Sequence, residues 1–229
     1  MKHPIFSVKN LKYSRNGRSV LDIKKIDIHR GSCYVIYGDV GSGKSTFLDI
    51  LSKRRKVPND VLSYENEDLN KVSKNKYYQD TCFVSQRITK PWFKIKVKDY
   101  MLKTIKSYKH LTNPTKKLDE IVNKMKLSNY LDLDFKSLSD GEQRWIQLAL
   151  SIACDTKVLF IDGFGQYLGA DKISILSKIL YKKINYDGVT VIVCTHIREK
   201  LSKIASVFIR LDRGKIVSVR SHKKKTYRK

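Results

Sequence analysis

The chain has 229 residues, enough for one good hydrophobic core, or one core with a small subdomain, and too few for two full domains. Lys and Arg number 47 against 22 Asp and Glu, a formal net charge of +25, which admits nucleic acid, an anionic membrane face or simply a cationic surface. The composition excludes a membrane span, since no stretch approaches the ~18 unbroken apolar residues that one requires, and a disulfide or zinc framework, since the four cysteines at 33, 82, 154 and 194 are isolated within apolar runs.

Residues 6–13 and 20–28 alternate apolar with polar side chains, and Asn16-Gly17 between them predicts a hairpin turn. An apolar strand over 33–37 runs into a Gly-rich loop, from which an apolar helix starts at Thr46. A polar stretch over 58–79 leads to a short strand at 81–86. From about 88 to 136 the pattern turns helical, with Leu118, Ile121, Val122, Met125 and Leu127 at three- and four-residue steps and a break at Asn113-Pro114. A helix over 140–153, a buried strand at 158–161, a helix over 171–183 and a second buried strand at 189–194 follow. Short apolar strands alternating with helices imply a parallel sheet covered on both faces. Strands near 207–211 and 216–219, joined by a turn at 212–214, close the fold before a basic tail over 220–229. The start of the chain carries no secretory h-region, so a reduced, cytoplasmic protein is expected.

The loop comprises Gly38, Asp39, Val40, Gly41, Ser42, Gly43, Lys44, Ser45 and Thr46. It fits the phosphate-binding pattern G-x-x-x-x-G-K-[ST], lying between a strand and a helix as that pattern requires. The glycines let successive N–H groups turn toward phosphate oxygens. Lys44 brings a point charge for the β and γ phosphates, Ser45 a hydroxyl for Mg²⁺, and the helix its positive dipole end. A nucleoside triphosphate with Mg²⁺ is the expected ligand.

Further signals follow in order. Gln86 closes a strand, Ser139 to Glu142 opens a helix as a capping box, Asp162 ends an apolar strand, and His196 follows another. With the loop at 38–46, this ordered set resembles the ATPase subunits of ATP-binding cassette (ABC) transporters over about residues 6–219. The resemblance implies an α/β fold: a P-loop NTPase core with a mostly parallel sheet, an N-terminal antiparallel β-subdomain and an inserted α-helical subdomain. Residues 1–229 would form a single ABC ATPase domain, with 1–87 and 137–219 as core and 88–136 as the helical insert. ATP and Mg²⁺ are the implied cofactors. Val40, Ser42 and Thr46 join the loop glycines, Lys44 and Ser45 in holding nucleotide. Asp162, Ser45 and Gln86 would hold the metal, with Gln86 reaching Mg²⁺ or the attacking water, while His196 contacts the γ-phosphate and Lys44 serves catalysis. Ser139 and Gly141 would point across a head-to-tail dimer at the other subunit's nucleotide. Tyr13 stands where an aromatic ring stacks on adenine, though a plain core or surface tyrosine explains it nearly as well.

The sequence also departs from the family. The residue after Asp162 should be a glutamate that polarises water, and here it is Gly163. Phe164 replaces a proline, Gly169 replaces an interface aspartate, Asp140 and Glu142 replace Gly and Gln, and Trp145 takes a position that usually carries a basic side chain. Loss of a general base costs ~10²–10⁴ in rate while leaving the phosphate cradle intact, so tight binding and slow hydrolysis are expected. The expected partners are separate transmembrane subunits, a second ABC ATPase subunit in a homo- or heterodimer, and an anionic membrane surface, with the chain peripheral on the cytoplasmic face. Pro91, Trp92 and Phe93 would belong to the docking surface or to the subdomain core. The alternatives are a regulatory or structural ATP-binding component of a membrane complex and, less favoured, a nucleic-acid-associated ABC ATPase.

Overall fold

Period-two alternation with both faces buried governs the central sheet. In the computed structural model, which describes residues 3–196 and 198–221, strand β7 (Val158–Asp162) sends Leu159 and Ile161 into one apolar cluster and Val158 and Phe160 into another. Strand β8 (Thr190–Thr195) divides the same way, with Val191 and Val193 on one face and Ile192 and Cys194 on the other. A strand buried on both sides must be covered by two layers, and two layers are present.

One layer is an antiparallel sheet. Strands β1 (Phe6–Arg15) and β2 (Arg18–Ile28) form the expected hairpin, with Asn16 and Gly17 both at positive φ in its turn. Strands β4 (Leu62–Tyr64) and β5 (Glu67–Asp68) extend it in the order β2-β1-β4-β5. These two strands and helix α2 (Lys74–Asp80) lie in the stretch over 58–79 that reads only as polar. Strands of three and two residues are too short to show a period. Buried Leu62, Tyr64 and Tyr77 tie the segment to the core.

The central sheet runs, in spatial order, β10 (Lys215–Ser221), β9 (Val207–Asp212), β3 (Cys33–Tyr37), β8, β7 and β6 (Thr81–Val84). Strands β3, β6, β7, β8 and β9 are parallel, and β10 returns antiparallel to β9. Because the strands are parallel, their carboxyl ends meet at one edge. Helix α1 (Lys44–Leu51) leaves β3 at that edge, two residues earlier than the apolar run suggests. Strand β6 stops at Val84, so Gln86 stands two residues beyond it instead of closing it.

The helical layer contains α3 (Val97–Lys106), α4 (Pro114–Met125), α5 (Asp140–Ala153) and α6 (Ala170–Asn185). The Asn113-Pro114 break is a helix start: the Asn113 side chain accepts from the Lys116 N–H, and proline takes the first turn, where its missing donor costs nothing. Trp145, 2% exposed, fastens α5 to α4 by donating its indole N–H to the Met125 carbonyl at 3.0 Å. Residues 85–96 carry no helix, and Trp92 is 88% exposed, so it is not subdomain core. No described helix is long and apolar enough to cross a membrane. The expected basic tail falls largely on 222–229, outside the described residues.

Candidate active site

The parallel strands gather the predicted residues. Tyr37 of β3 pairs in register with Thr195 of β8, and Asp162 of β7 with Cys194, so the loop at 38–46, Asp162 and His196 all emerge at the same sheet edge. Gln86 follows β6, which pairs with β7, on the flank of that edge. His196, directly after β8, is solvent-exposed, whereas Gln86 is half-buried.

The loop is built as a cradle. Helix α1 begins behind Gly43, whose φ is 102° and which offers no side-chain cap, so the first-turn N–H groups are left for an external acceptor. A Cβ at Gly43 would stand 2.7 Å from Leu21 Cδ2 and 3.0 Å from the Val20 carbonyl, so only glycine fits. Lys44 is 7% exposed, and its Nζ donates to the Gly38 carbonyl at 2.8 Å, the Asp39 carbonyl at 2.7 Å and the Ser42 hydroxyl at 3.3 Å. Burial lowers its pKa, while Cys194, Asp162 and Asp39 act in the opposite sense. A phosphate would replace those three neutral acceptors with a charged one. Val40, 89% exposed, stands at the loop tip, Ser42 is buried beneath it, and Thr46 is half-buried in the first turn of α1.

Asp162 is 7% exposed. Burial raises its pKa, a hydrogen bond from the Ser45 hydroxyl partly offsets the shift, and the Asp49 carboxylate adds to it. A carboxylate and a hydroxyl side by side are hard oxygen donors of the kind Mg²⁺ takes alongside phosphate oxygens, so Ser45 and Asp162 fit the expected metal. Bound there, Mg²⁺ would neutralise charge on the phosphates. The residues at 38–46 likewise fit a triphosphate.

Tyr13, on β1 beside a bulge, is half-buried. Its hydroxyl accepts from Arg55 Nη1 at 3.2 Å, and the guanidinium carbon lies 5.8 Å from the ring centroid. Arg55 is held in turn by Asp49 at 3.0 Å.

Ser139 is exposed at the start of α5, where it forms a full capping box. Its hydroxyl accepts from the Glu142 N–H at 3.4 Å, and its own N–H and hydroxyl donate to Glu142 Oε2 at 2.8 and 2.7 Å. Those hydrogen bonds hold the Glu142 carboxyl below its usual range. Gly141 faces the Tyr167 carbonyl, which lies 2.9 Å from where a Cβ would be. The start of α5 therefore touches the loop that follows Asp162.

Two residues that sequence reasoning missed act on that loop, one from helix α5 and one from within it. Arg144 is fully buried and donates to the carbonyls of Ser85, Asp162 (2.6 Å) and Gly163 (3.3 Å), clamping the segments after β6 and β7 together. Burial pushes its pKa down to about 10, against the attraction of Asp162, so it stays charged at neutral pH. The signal was a basic residue one position before Trp145. Gln166 folds back toward Gly163, and its Oε1 lies 2.7 Å from the place of a Cβ at 163. Gly163 itself has φ +68°.

A separate cleft of about 510 Å³ opens at the opposite edge, before β7 and β8, and is lined by Lys117, Lys157, Lys183 and Asp155 among others. Its lysines are already engaged: Asp155 pairs with Lys117 and Lys183, and Lys157 pairs with Asp80 at 3.0 Å. The cleft is an ion-pair network far in the topology from the phosphate loop.

The chain belongs to the ABC transporter family, whose sequence pattern matches residues 21–163. It is an ATP-binding cassette, an ABC-type ATPase domain. Similar solved structures share the fold at low identity. An ATP-binding subunit of an ABC transporter superposes with a TM-score of 0.85 at 16% identity, covering 95% of this chain and 90% of that one. The cassette MJ0796, in a dimeric post-hydrolysis state bound to ADP and Pi, gives 0.82 at 21% identity, covering 95% and 99%. The cbiO1 protein from Clostridium perfringens, part of the ABC transporter complex cbiONQ, gives 0.80 at 20% identity, covering 96% and 90%.

Proposed function

We propose that the chain is the ATP-binding subunit of an ABC transporter complex, pairing head to tail with a second ABC ATPase subunit and passing ATP-driven closure to separate transmembrane subunits on the cytoplasmic face of a membrane. Its own site binds Mg²⁺-ATP through the cradle at 38–46, Lys44, Ser45 and Asp162, and hydrolyses it slowly. One observation carries this reading: the phosphate and metal groups converge at a single sheet edge, while position 163, directly after Asp162, has no side chain at all. In such a site Gln86 and His196 reach the nucleotide's terminal phosphate region, and Ser139 with Gly141 completes the partner's site. Support for a docking partner comes from exposed Trp92, stacked edge-on with Phe93 at 5.3 Å in the loop before α3.

The test is purification from native membranes with associated chains, followed by their identification and by calorimetry and turnover with and without them. Co-purifying membrane proteins, tight Mg²⁺-ATP binding and slow hydrolysis by the isolated chain are expected. Turnover at ordinary transporter rates with no partner would refute the impaired-site reading. A regulatory ATP-binding component without net transport is favoured by the same Gly163, and turnover by the reconstituted complex separates the two. The charge of +25 leaves a nucleic-acid role as the weakest reading, testable by salt-sensitive retention on RNA or DNA.

A further inference from the structure

We propose that Gln166 takes over the work of the missing side chain at position 163: its carboxamide oxygen accepts a hydrogen bond from the water that attacks the terminal phosphate and holds that water in line. The proposal rests on the ATP-binding reading above and identifies which residue of that site meets the water.

Three observations converge on it. Gln166 Oε1 is buried and has no hydrogen-bond donor among the described residues. Buried acceptors are nearly always paired, so an orphan of this kind points to a donor that arrives with function. The same atom lies 2.7 Å from where a Cβ at 163 would stand, and Gln86 Cγ and Cβ lie 3.0 and 3.5 Å from that point. The amide therefore occupies the volume next to Gln86 that a longer side chain at 163 would claim. The loop also returns Gln166 to this place by its own backbone. Gly163, Gly165 and Tyr167 all have positive φ, and the Gln166 N–H donates to the Gly163 carbonyl at 3.2 Å. Arg144 holds that carbonyl from below, and the Phe164 N–H ties the loop to the Cys194 carbonyl of β8 at 3.0 Å. A group fixed in this way is preorganised for its role.

The chemistry follows from the amide. A carboxamide oxygen accepts one O–H of the water and aims the lone pair at the γ-phosphorus, but it cannot take a proton near neutral pH. The water oxygen bonds to phosphorus, and the bond from phosphorus to the β–γ bridging oxygen breaks, its electron pair leaving with ADP. The proton from the water passes to a γ-phosphate oxygen, giving inorganic phosphate. Hydrolysis is thus real but slow, and position 166 adds no titration to its pH profile.

Gln166→Leu keeps the size and removes the amide, and Gln166→Glu replaces it with a carboxylate. Calorimetry would measure the affinity for Mg²⁺-ATP and for ADP with aluminium fluoride, a planar mimic of the transferring phosphoryl group that keeps an axial water. Single-turnover hydrolysis would be followed across pH. The Leu variant should bind Mg²⁺-ATP within about twofold of wild type and lose about 10²-fold in both rate and affinity for the fluoride complex. The Glu variant should hydrolyse at least as fast as wild type and gain a new acidic limb in its pH profile as the carboxyl group protonates. A Leu variant indistinguishable from wild type in both rate and fluoride binding overturns the assignment, as does a wild-type protein that binds ATP but never turns it over. Failure of wild type to bind Mg²⁺-ATP is a different signature and removes the ATP-site reading itself.

Discussion

Replacing Gly163 by alanine and by glutamate asks whether the gap after Asp162 can be refilled. Its φ of +68° costs an L-residue about 1–2 kcal/mol. A Cβ there would stand 2.7 Å from Gln166 Oε1 and 3.0 Å from Gln86 Cγ. Both neighbours are side-chain atoms, so relief comes by rotation, at about 0.5–1.5 kcal/mol for a chain driven off its rotamer. Alanine also narrows the unfolded ensemble, which returns about 0.4–1 kcal/mol. Together these terms give a net loss of about 0.5–3 kcal/mol for Gly163→Ala, read from the urea midpoint at unchanged slope. In thermal melts each kcal/mol should lower Tm by about 2–4 °C in a domain of this size. Combining it with Gln166→Ala removes one collision, so the two changes should fail to add by about 0.5–1 kcal/mol. Gly163→Glu carries the same backbone cost, and Gln166 obstructs its side chain. Alone it should raise hydrolysis by less than about 10-fold, and only the double variant Gly163→Glu with Gln166→Ala should approach the ~10²-fold gain of a restored base. Strict additivity, a Gly163→Ala protein as stable as wild type, or a full gain from Gly163→Glu alone would refute the reasoning.

Lys44→Ala removes the only ammonium in the cradle and should weaken Mg²⁺-ATP binding about 10- to 100-fold, the range of one charge-assisted hydrogen-bonding group, measured by calorimetry with circular dichroism confirming the fold. Trp145→Ala empties a buried site between α4 and α5 and orphans the Met125 carbonyl; a loss of about 3–5 kcal/mol is expected in urea unfolding. Asp155 ties Lys117 of α4 and Lys183 of α6 together, and although burial acts to raise its pKa, hydrogen bonds from the two ammonium groups leave it below the usual range. The sign is therefore that of a depressed carboxylate: its contribution is complete above about pH 4, the unfolded-state value, and is lost as pH falls through the lower folded value. Asp155→Asn should be less stable than wild type by about 1–2 kcal/mol at neutral pH, discounted for its partial exposure, and the gap should close in urea titrations taken progressively below about pH 4.

The legible parts of this protein were those whose chemistry sits where a strand ends. Gly38 to Thr46, Asp162 and His196 each follow an apolar run, and parallel pairing then brings those runs to one edge. Ser139 and Glu142 are three apart, and their capping box needs nothing beyond local geometry. The elements between 58 and 80 were not legible because strands of two and three residues give no period, and burial of Tyr64 and Tyr77 depends on partners distant in sequence. Arg144 was hidden for a related reason. A helical arginine reads as solvated surface until the fold sets three backbone carbonyls against it.

Gln166 shows most clearly where reading residues one by one stops. Taken along the chain, the segment after Asp162 offers a glycine where the family resemblance leads one to expect a glutamate, and it invites the conclusion that a function was simply removed. In three dimensions the same glycine admits a left-handed turn that a glutamate would resist, and that turn, repeated at Gly165 and Tyr167, swings an amide three residues on into the emptied volume. On the proposed reading the two positions are coupled through the backbone, since a Cβ at 163 would stand 2.7 Å from Gln166 Oε1 and the φ of +68° there disfavours any residue but glycine. A sequence pattern scores positions independently and sees only the loss. Coupling between 163 and 166 in stability, together with coupling in hydrolysis rate, is what distinguishes a rebuilt site from a broken one.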